Sequence, residues 1–512
     1  MQDTKVSIAS GSQIAADGGV AVTAKGGNGV DAAIASALVS LCTDPGVIAP
    51  GAGGFITIYP PGGEPIVIDG YAEMPGKGLN AFQFGQGTQE VFLEYGGGMR
   101  TVIGYGSIAT PGILAALAIA HQKYGILPWS EVLQPSIDWA TRGFPLSAVG
   151  ANYLAITHKV IFGWHQDSYQ PLHRPDGSCL KKGEIVYVPH LAESLQQIAQ
   201  EGVESFYQGE LGQKITREIQ ANGGLLTARD LAEYRGIERS PLVINFGEWQ
   251  IITNPPPAIG GACLGAMLLL AQQQPFTQWD APSVKRMVDI QQAVLNYRGQ
   301  HLGQIEELTP KVERLLTLAR MGELYPLQQS PSTIHTSAVD SNGLGCSISA
   351  SAGYGSGVMI SGTGLWFNNS LGELELHPEG LKSITPGCRL VSNMAPTIAR
   401  KDDGTVLAIG SPGASRITSA IAFALINFIQ LKMPLAEAIA APRLHVEVFE
   451  DNLAVAFEPG LNIEDVSGVT LRPFTERSMY FGGVQAALWS PDTGLLHAAD
   501  PRRVGGVAYG RF

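Results

Sequence analysis

The stretch "STIHTSAVD", residues 332–340, sets Thr333 at the head of a strand-like run, directly behind the polar, proline-containing segment "MGELYPLQQSP". A threonine that opens a strand needs no special account, because β-branched residues suit a pleated surface. A second reading gives the residue chemistry. If the chain is cut between Ser332 and Thr333, the new N-terminus carries a nucleophile and a base on one residue, the hydroxyl to attack and the α-amine to take its proton. An α-amine of ordinary pKa, about 7.7–8.0, needs only modest tuning to act as a base at neutral pH. His335 follows two residues later, on the same face of a strand.

A second candidate is "GSPGAS", residues 410–415, which follows the strand-like "TVLAIG" and precedes an apolar helical pattern from Arg416. That order brings the backbone N–H groups of Gly413 and Ala414 to a helix N-terminus, where they can hold an oxyanion or a phosphate. The phosphate-loop pattern with its lysine is absent. The ten histidines show no H-x-x-x-H spacing, and the cysteines at 42, 179, 263, 346 and 388 form no C-x-x-C pair. No metal centre, no cofactor and no disulfide framework is therefore expected.

The elements that must position these residues belong to a globular chain. Of 512 residues 45% are hydrophobic and 15% charged, with a net charge of −12, a composition that suits a large core and disfavours nucleic acid as a partner. The longest apolar stretch, "ITSAIAFALINFIQL", falls short of the roughly 20 residues that span a bilayer and reads as a buried helix. "MQDTKVSIASG" has no apolar segment of the signal-peptide kind, so a soluble, cytoplasmic protein with no membrane partner is expected. Residues before 333 alternate short strands with helical patterns such as "GGNGVDAAIASALVSLC", while those after 333 turn toward strands rich in small residues. Two strands, two helices and another strand in this last third suit a layered sandwich.

Taken in order, "GGNGVDAAIA", "GAGGFITIY", "ATPGILAALAIAHQKYGILPW", "TARDLAEYR", "NPPPAIGGACLGAMLL", "NMAPTI", "GSPGASRI" and "DPRRVGG" resemble the γ-glutamyltransferase family of N-terminal-nucleophile hydrolases nearly end to end. The resemblance implies an α/β fold, a four-layer αββα sandwich with a helical lobe. It also implies a precursor that cuts itself into a large subunit, residues 1–332, and a small catalytic subunit, residues 333–512, which together form one unit. Thr333 falls on the family's nucleophile. Ser351 falls on a second hydroxyl that assists it, and Gly413 and Ala414 fall on the oxyanion hole. Ser392 and Asn393 fall where two serines hold the substrate's α-carboxylate, and Glu373 falls where an acid holds the α-ammonium.

The departures bear on specificity. The family's carboxylate-binding Arg lies in a D-x-R-E context, whereas "IDGYAEMP" carries Tyr71 and Ala72 before Glu73. Gly353 replaces an expected Asn, and Ser370 replaces a Gln after the paired asparagines. Arg100 and Arg389 are the arginines considered as substitutes. The expected activity is amide hydrolysis or acyl transfer, to water or an amine, with a non-standard small-molecule acyl donor. The alternatives are a true γ-glutamyl hydrolase or transpeptidase acting on glutathione-type substrates, and an unprocessed scaffold. A homo-oligomer is left open.

Overall fold

The computed structural model describes residues 5–511 except 81–82, 84, 95–97, 303–307, 325–332, 378–379 and 450–451, so Ser332 lies outside the described residues. Two antiparallel sheets form its centre. The first has seven strands in the order Gly506–Arg511, Lys5–Ser10, Ile334–Asp340, Gly345–Ser351, Gly53–Tyr59, Ile66–Gly70, Ile237–Arg239. The second has six, in the order Gly494–Ala499, Gln485–Ser490, Val406–Gly410, Thr397–Arg400, Trp249–Thr253, Leu242–Phe246. Helices Gln13–Thr23, Gly29–Thr43 and Ile113–Tyr124 pack on the outer side of the first sheet, and helices Gly260–Gln273 and Arg416–Leu425 on that of the second. This is the αββα sandwich expected. Helices between Trp129 and Ala221, among them Trp129–Arg142 and Leu191–Glu201, supply the helical lobe.

Local chemistry accounts for these elements. The Asn28 side chain accepts from Val30 N (2.9 Å) and Asp31 N (3.0 Å), while the Asp31 carboxylate accepts from Asn28 N. That reciprocal cap starts the Ala-rich helix Gly29–Thr43, which is buried along its whole length. "ITSAIAFALINFIQL" is a buried helix as read, ending in a π turn at Ile426–Gln430. No helix among the described residues is long and apolar enough to cross a membrane. The strand "NLAVAF" forms as well, in a separate three-stranded sheet.

Both sheets draw strands from either side of position 333. A cut there would leave the two parts interleaved through shared ladders. Strand Ile334–Asp340 is buried on both faces. Ile334 and Ala338 enter the helix-side core, whereas Val339 meets Ile252, Ile398, Val406, Ala408 and Ala487 between the sheets.

Candidate active site

Toward the start of strand Ile334–Asp340 the space between the sheets is polar. The buried His335 ring lies 2.8 Å from Ser349 Oγ through Nδ1 and 2.8 Å from Ser337 Oγ through Nε2. Ser337 Oγ donates its one proton to Gln485 O (3.1 Å). It must therefore accept from His335 Nε2–H, and Ser349 then donates to Nδ1. Ser347 Oγ donates to Ile409 O (3.2 Å) and accepts from Thr397 N (3.1 Å), and Thr57 Oγ1 donates to Pro396 O (2.8 Å). Burial pushes the His335 imidazole down to about 3, so it is neutral at physiological pH and serves as a fixed hydrogen-bonding strut. These bonds join the two sheets just behind Thr333.

Strand register then lines up the site. Ile334 pairs with Ala350, Ala350 with Gly54, and Gly54 with Gly70, while Ser351 pairs with Gly53. One residue further along the same register, Thr333 stands beside Ser351, and Tyr71 stands beside Gly53. Directly opposite residues of antiparallel strands face the same side with Cβ atoms about 4.5–5.5 Å apart. Thr333, Ser351, Gly53 and Tyr71 therefore form a row across the end of the seven-stranded sheet. A Cβ on Gly53 would lie 3.0 Å from Tyr71 Cδ2, so the Tyr71 ring lies over the glycine. It also stacks on Phe55 at 5.4 Å. Thr333 is 2% exposed, so this row is enclosed.

The turn "GSPGAS" reaches the same end of the sandwich. A Cβ on Gly410 would lie 2.3 Å from His335 Cε1, which places the His335 ring against the last residue of strand Val406–Gly410. The chain then turns through Ser411–Ser415 into helix Arg416–Leu425. Gly413 has φ of 130°, and a Cβ there would lie 2.8 Å from Gly482 Cα, so only glycine fits. Ala414 has φ of 66°, in the left-handed region, an arrangement that costs a non-glycine residue roughly 1–3 kcal/mol. The turn is braced by Gly483 N, which donates to Ser411 Oγ (3.0 Å).

Other residues singled out in the sequence are placed as follows. Gly353 N donates to Ser351 Oγ (3.1 Å), and a Cβ on Gly353 would lie 3.0 Å from Glu373 Oε1, which puts the Glu373 carboxyl beside the row. Ser370 sits in the adjoining turn Ser370–Gly372, its N–H donating to Asn368 Oδ1 (3.0 Å). Ser392 and Asn393 abut the N-terminus of helix Gly260–Gln273, where Ile259 N donates to Ser392 O (2.8 Å), and their segment meets the one after Tyr71, Leu390 N donating to Ala72 O (2.9 Å). Met394 N donates to the Ser392 hydroxyl (3.2 Å).

The two arginines are committed to carboxylates. Arg100 is 75% exposed at its side chain and pairs with Glu90 (2.6 Å). Arg389 is buried, donates to Asp69 Oδ1 (3.2 Å), pairs with Glu73, and lies 4.5 Å from the centre of the Tyr234 ring. Burial opposes its charge, but Tyr234, Asp69 and Glu73 outweigh that and hold the guanidinium above its ordinary value. Withdrawing one partner from a buried pair of this kind costs about 3–5 kcal/mol.

Reading the sequence did not bring out the structural weight of Asn369. Its Oδ1 accepts from Tyr354 N (2.7 Å), and its Nδ2 donates to Thr101 Oγ1 (3.1 Å) and Val102 O (3.0 Å). It thereby ties the segment after Ser351 to the hairpin Gln89–Ile103. The signal was the Asn–Asn pair itself, two amides in an otherwise apolar run.

The family model for gamma-glutamyltranspeptidase matches residues 15–510. The glutathione hydrolase proenzyme of Escherichia coli (strain K12) is 29% identical over 96% of this chain and 89% of its own length. The acylase ACY 1 proenzyme of Pseudomonas sp. (strain SE83) is 30% identical over 85% of this chain and 81% of its own. Among solved structures, the cephalosporin acylase from Bacillus halodurans matches with a TM-score of 0.80 and 25% identity, covering 99% of this chain and 96% of that one. The chain belongs to the gamma-glutamyltranspeptidase family of self-processing N-terminal-nucleophile enzymes.

Proposed function

We propose that the chain cuts itself between Ser332 and Thr333 and then hydrolyses or transfers an acyl group other than γ-glutamyl, with Thr333 as nucleophile. In the precursor Thr333 Oγ attacks the Ser332 carbonyl carbon and the C–N bond to Thr333 breaks, which leaves an ester and a free α-amine. Water hydrolyses the ester, so Ser332 ends as a carboxylate. In turnover the α-amine takes the hydroxyl proton as Oγ attacks the substrate amide, and that proton passes to the departing amine. Ser351, beside Thr333 in the ladder, positions the hydroxyl. The N–H groups of Gly413 and Ala414 hold the oxyanion. Water or an amine then releases the acyl group.

The observation that carries the choice of acyl group is the ring of Tyr71 over Gly53, next to Ser351, where a carboxylate-binding cation would be needed. A buried carboxylate without such a partner loses its hydration for little return. Relatives named acylases support the reading. One feature favours γ-glutamyl substrates instead: Glu373 beside Gly353 suits an α-ammonium, with Ser392 and Asn393 left to offer neutral hydrogen bonds to the carboxylate.

Intact-mass analysis of the purified protein tests the reading. Wild type should resolve into fragments 1–332 and 333–512, and fragment 333–512 should gain the acyl mass during turnover. Thr333→Ala should remain one inactive chain. A wild-type chain that stays whole yet turns over amides would overturn the mechanism.

A further inference from the structure

Outside the catalytic row, three metal-ligating side chains converge from separate segments of the helical lobe. His158 directly follows helix Ala148–Thr157, His173 follows the turn Gln170–Leu172, and Cys179 lies across an antiparallel bridge from His173. Their ligand atoms all lie within 4.8 Å of one another, and His158 Nδ1 is 2.9 Å from His173 Nε2. Among the described residues this is the one such group of three. The linear spacing, fourteen residues between the histidines and five before the cysteine, conceals it from a motif search.

The surroundings set His173 in binding form. His173 Nδ1–H donates to Tyr169 O (2.8 Å), which turns the Nε2 lone pair into the cluster. The Tyr169 ring stacks on His173 at 3.7 Å and fixes its plane. Nearby carboxylates are engaged elsewhere: Glu184 with Arg174, and Asp176 with Ser178 N (2.9 Å) and Ser178 Oγ (2.6 Å). Two imidazoles and a thiol without a carboxylate form a borderline-soft set that suits zinc over magnesium or calcium. In a tetrahedral zinc site ligand atoms stand about 3.3–3.6 Å apart, so the two imidazoles, 2.9 Å apart, open by a few tenths of an ångström, and the thiol, within 4.8 Å, closes in by up to about 1.2 Å.

We propose that His158, His173 and Cys179 bind one zinc ion, with a water molecule as fourth ligand. The Cys179 thiol proton goes to solvent on binding, and His158 takes its Nε2–H tautomer so that Nδ1 can coordinate. The ion acts as a clip. It joins the end of helix Ala148–Thr157 to the turn carrying Cys179, on the segment that covers the loop after Ser351. That cover is held by Tyr153 OH donating to Tyr354 O (3.2 Å) and Ser168 Oγ donating to Gly357 O (2.7 Å).

The test uses the untagged full chain, stripped with a chelator, reduced and desalted, then titrated with Co²⁺ and back-titrated with Zn²⁺. One equivalent of Co²⁺ should produce the ligand-field bands of a four-coordinate ion together with a thiolate charge-transfer band, and Zn²⁺ should abolish both. Cys179→Ser should remove the charge-transfer band, and His173→Gln should weaken binding at least tenfold. Cys388→Ser, at the other half-buried thiol, should leave the spectrum unchanged. Should the variants fold poorly, alkylation of wild-type Cys179 followed by peptide mass mapping serves instead, and one equivalent of Zn²⁺ should slow it at least tenfold. A spectrum without a thiolate band, a band that survives Cys179→Ser, or alkylation indifferent to zinc would overturn the proposal.

Discussion

The two ends of the row Thr333–Ser351–Gly53–Tyr71 rest on different physics. At the Thr333 end, the proposed chemistry rests on strand register, a hydroxyl on Ser351 and the backbone turn at Gly413 and Ala414. These are held by the neutral His335 strut and by the ladders of the seven-stranded sheet. At the Tyr71 end, recognition as proposed depends on the charge and shape of individual side chains, and there the Tyr71 ring stacks on Phe55 while Arg389 is locked to Asp69 and Glu73. Chemistry built from backbone geometry tolerates side-chain change, as Ala414 in a position that favours glycine illustrates. Specificity built from one charged group does not. A family can therefore keep its reaction while its members exchange acyl groups.

Substitutions can push on either end. Gly413→Pro should have the largest effect of those that leave the nucleophile in place, because it removes one N–H and forces φ away from 130°. Loss of such a donor typically costs about 10²–10³ in kcat. Near-normal steady-state turnover would place the oxyanion donors elsewhere. At the other end, Tyr71→Arg keeps the side-chain volume roughly constant and sets a cation beside Ser351. It should raise kcat/KM for a γ-glutamyl anilide about tenfold relative to a neutral acyl anilide, in keeping with a charge-assisted hydrogen bond of about 1.5–3 kcal/mol. An equal gain for both substrates would detach Tyr71 from acyl selection. The smallest effect is expected for Ala414→Gly. Relief of the left-handed alanine, partly offset by the freer unfolded chain, should stabilise the protein by about 1 kcal/mol or less. Turnover should stay within about twofold, since the N–H remains. A thermal melt together with a rate assay checks both.

Much of this was legible in the sequence at the Thr333 end. The strand after residue 333, the strand–turn–helix around "GSPGAS" and the layered sandwich follow from local patterns, and Glu373 lies against Gly353, whose N–H donates to Ser351. Alternation in "HTSAVDS" carried a different meaning from the usual one. Its polar residues do not face solvent, because Ser337 donates across to Gln485 O of the second sheet and the His335 ring lies against Gly410 there. A strand covered on both faces gives no solvent-driven signal, so periodicity cannot say which partner each side chain meets. Arg389 shows the same limit. In the sequence it stands as a lone arginine, and only three-dimensional proximity shows it paired with Asp69 and Glu73, more than three hundred residues away in sequence. The His158–His173–Cys179 cluster was hidden for the same reason: its members meet through a helix end and a turn and share no motif.

The central claim, an intact nucleophile end joined to a clamp that no longer suits glutamate, is tested most directly by one pair of rate measurements. Self-cleaved wild-type enzyme is assayed for kcat/KM on the p-nitroanilides of a γ-glutamyl group and of a neutral acyl group of matched length. The account predicts turnover of both through acyl-Thr333, with the neutral acyl compound preferred by at least tenfold. A γ-glutamyl anilide hydrolysed as fast as its neutral counterpart, or faster, would contradict it.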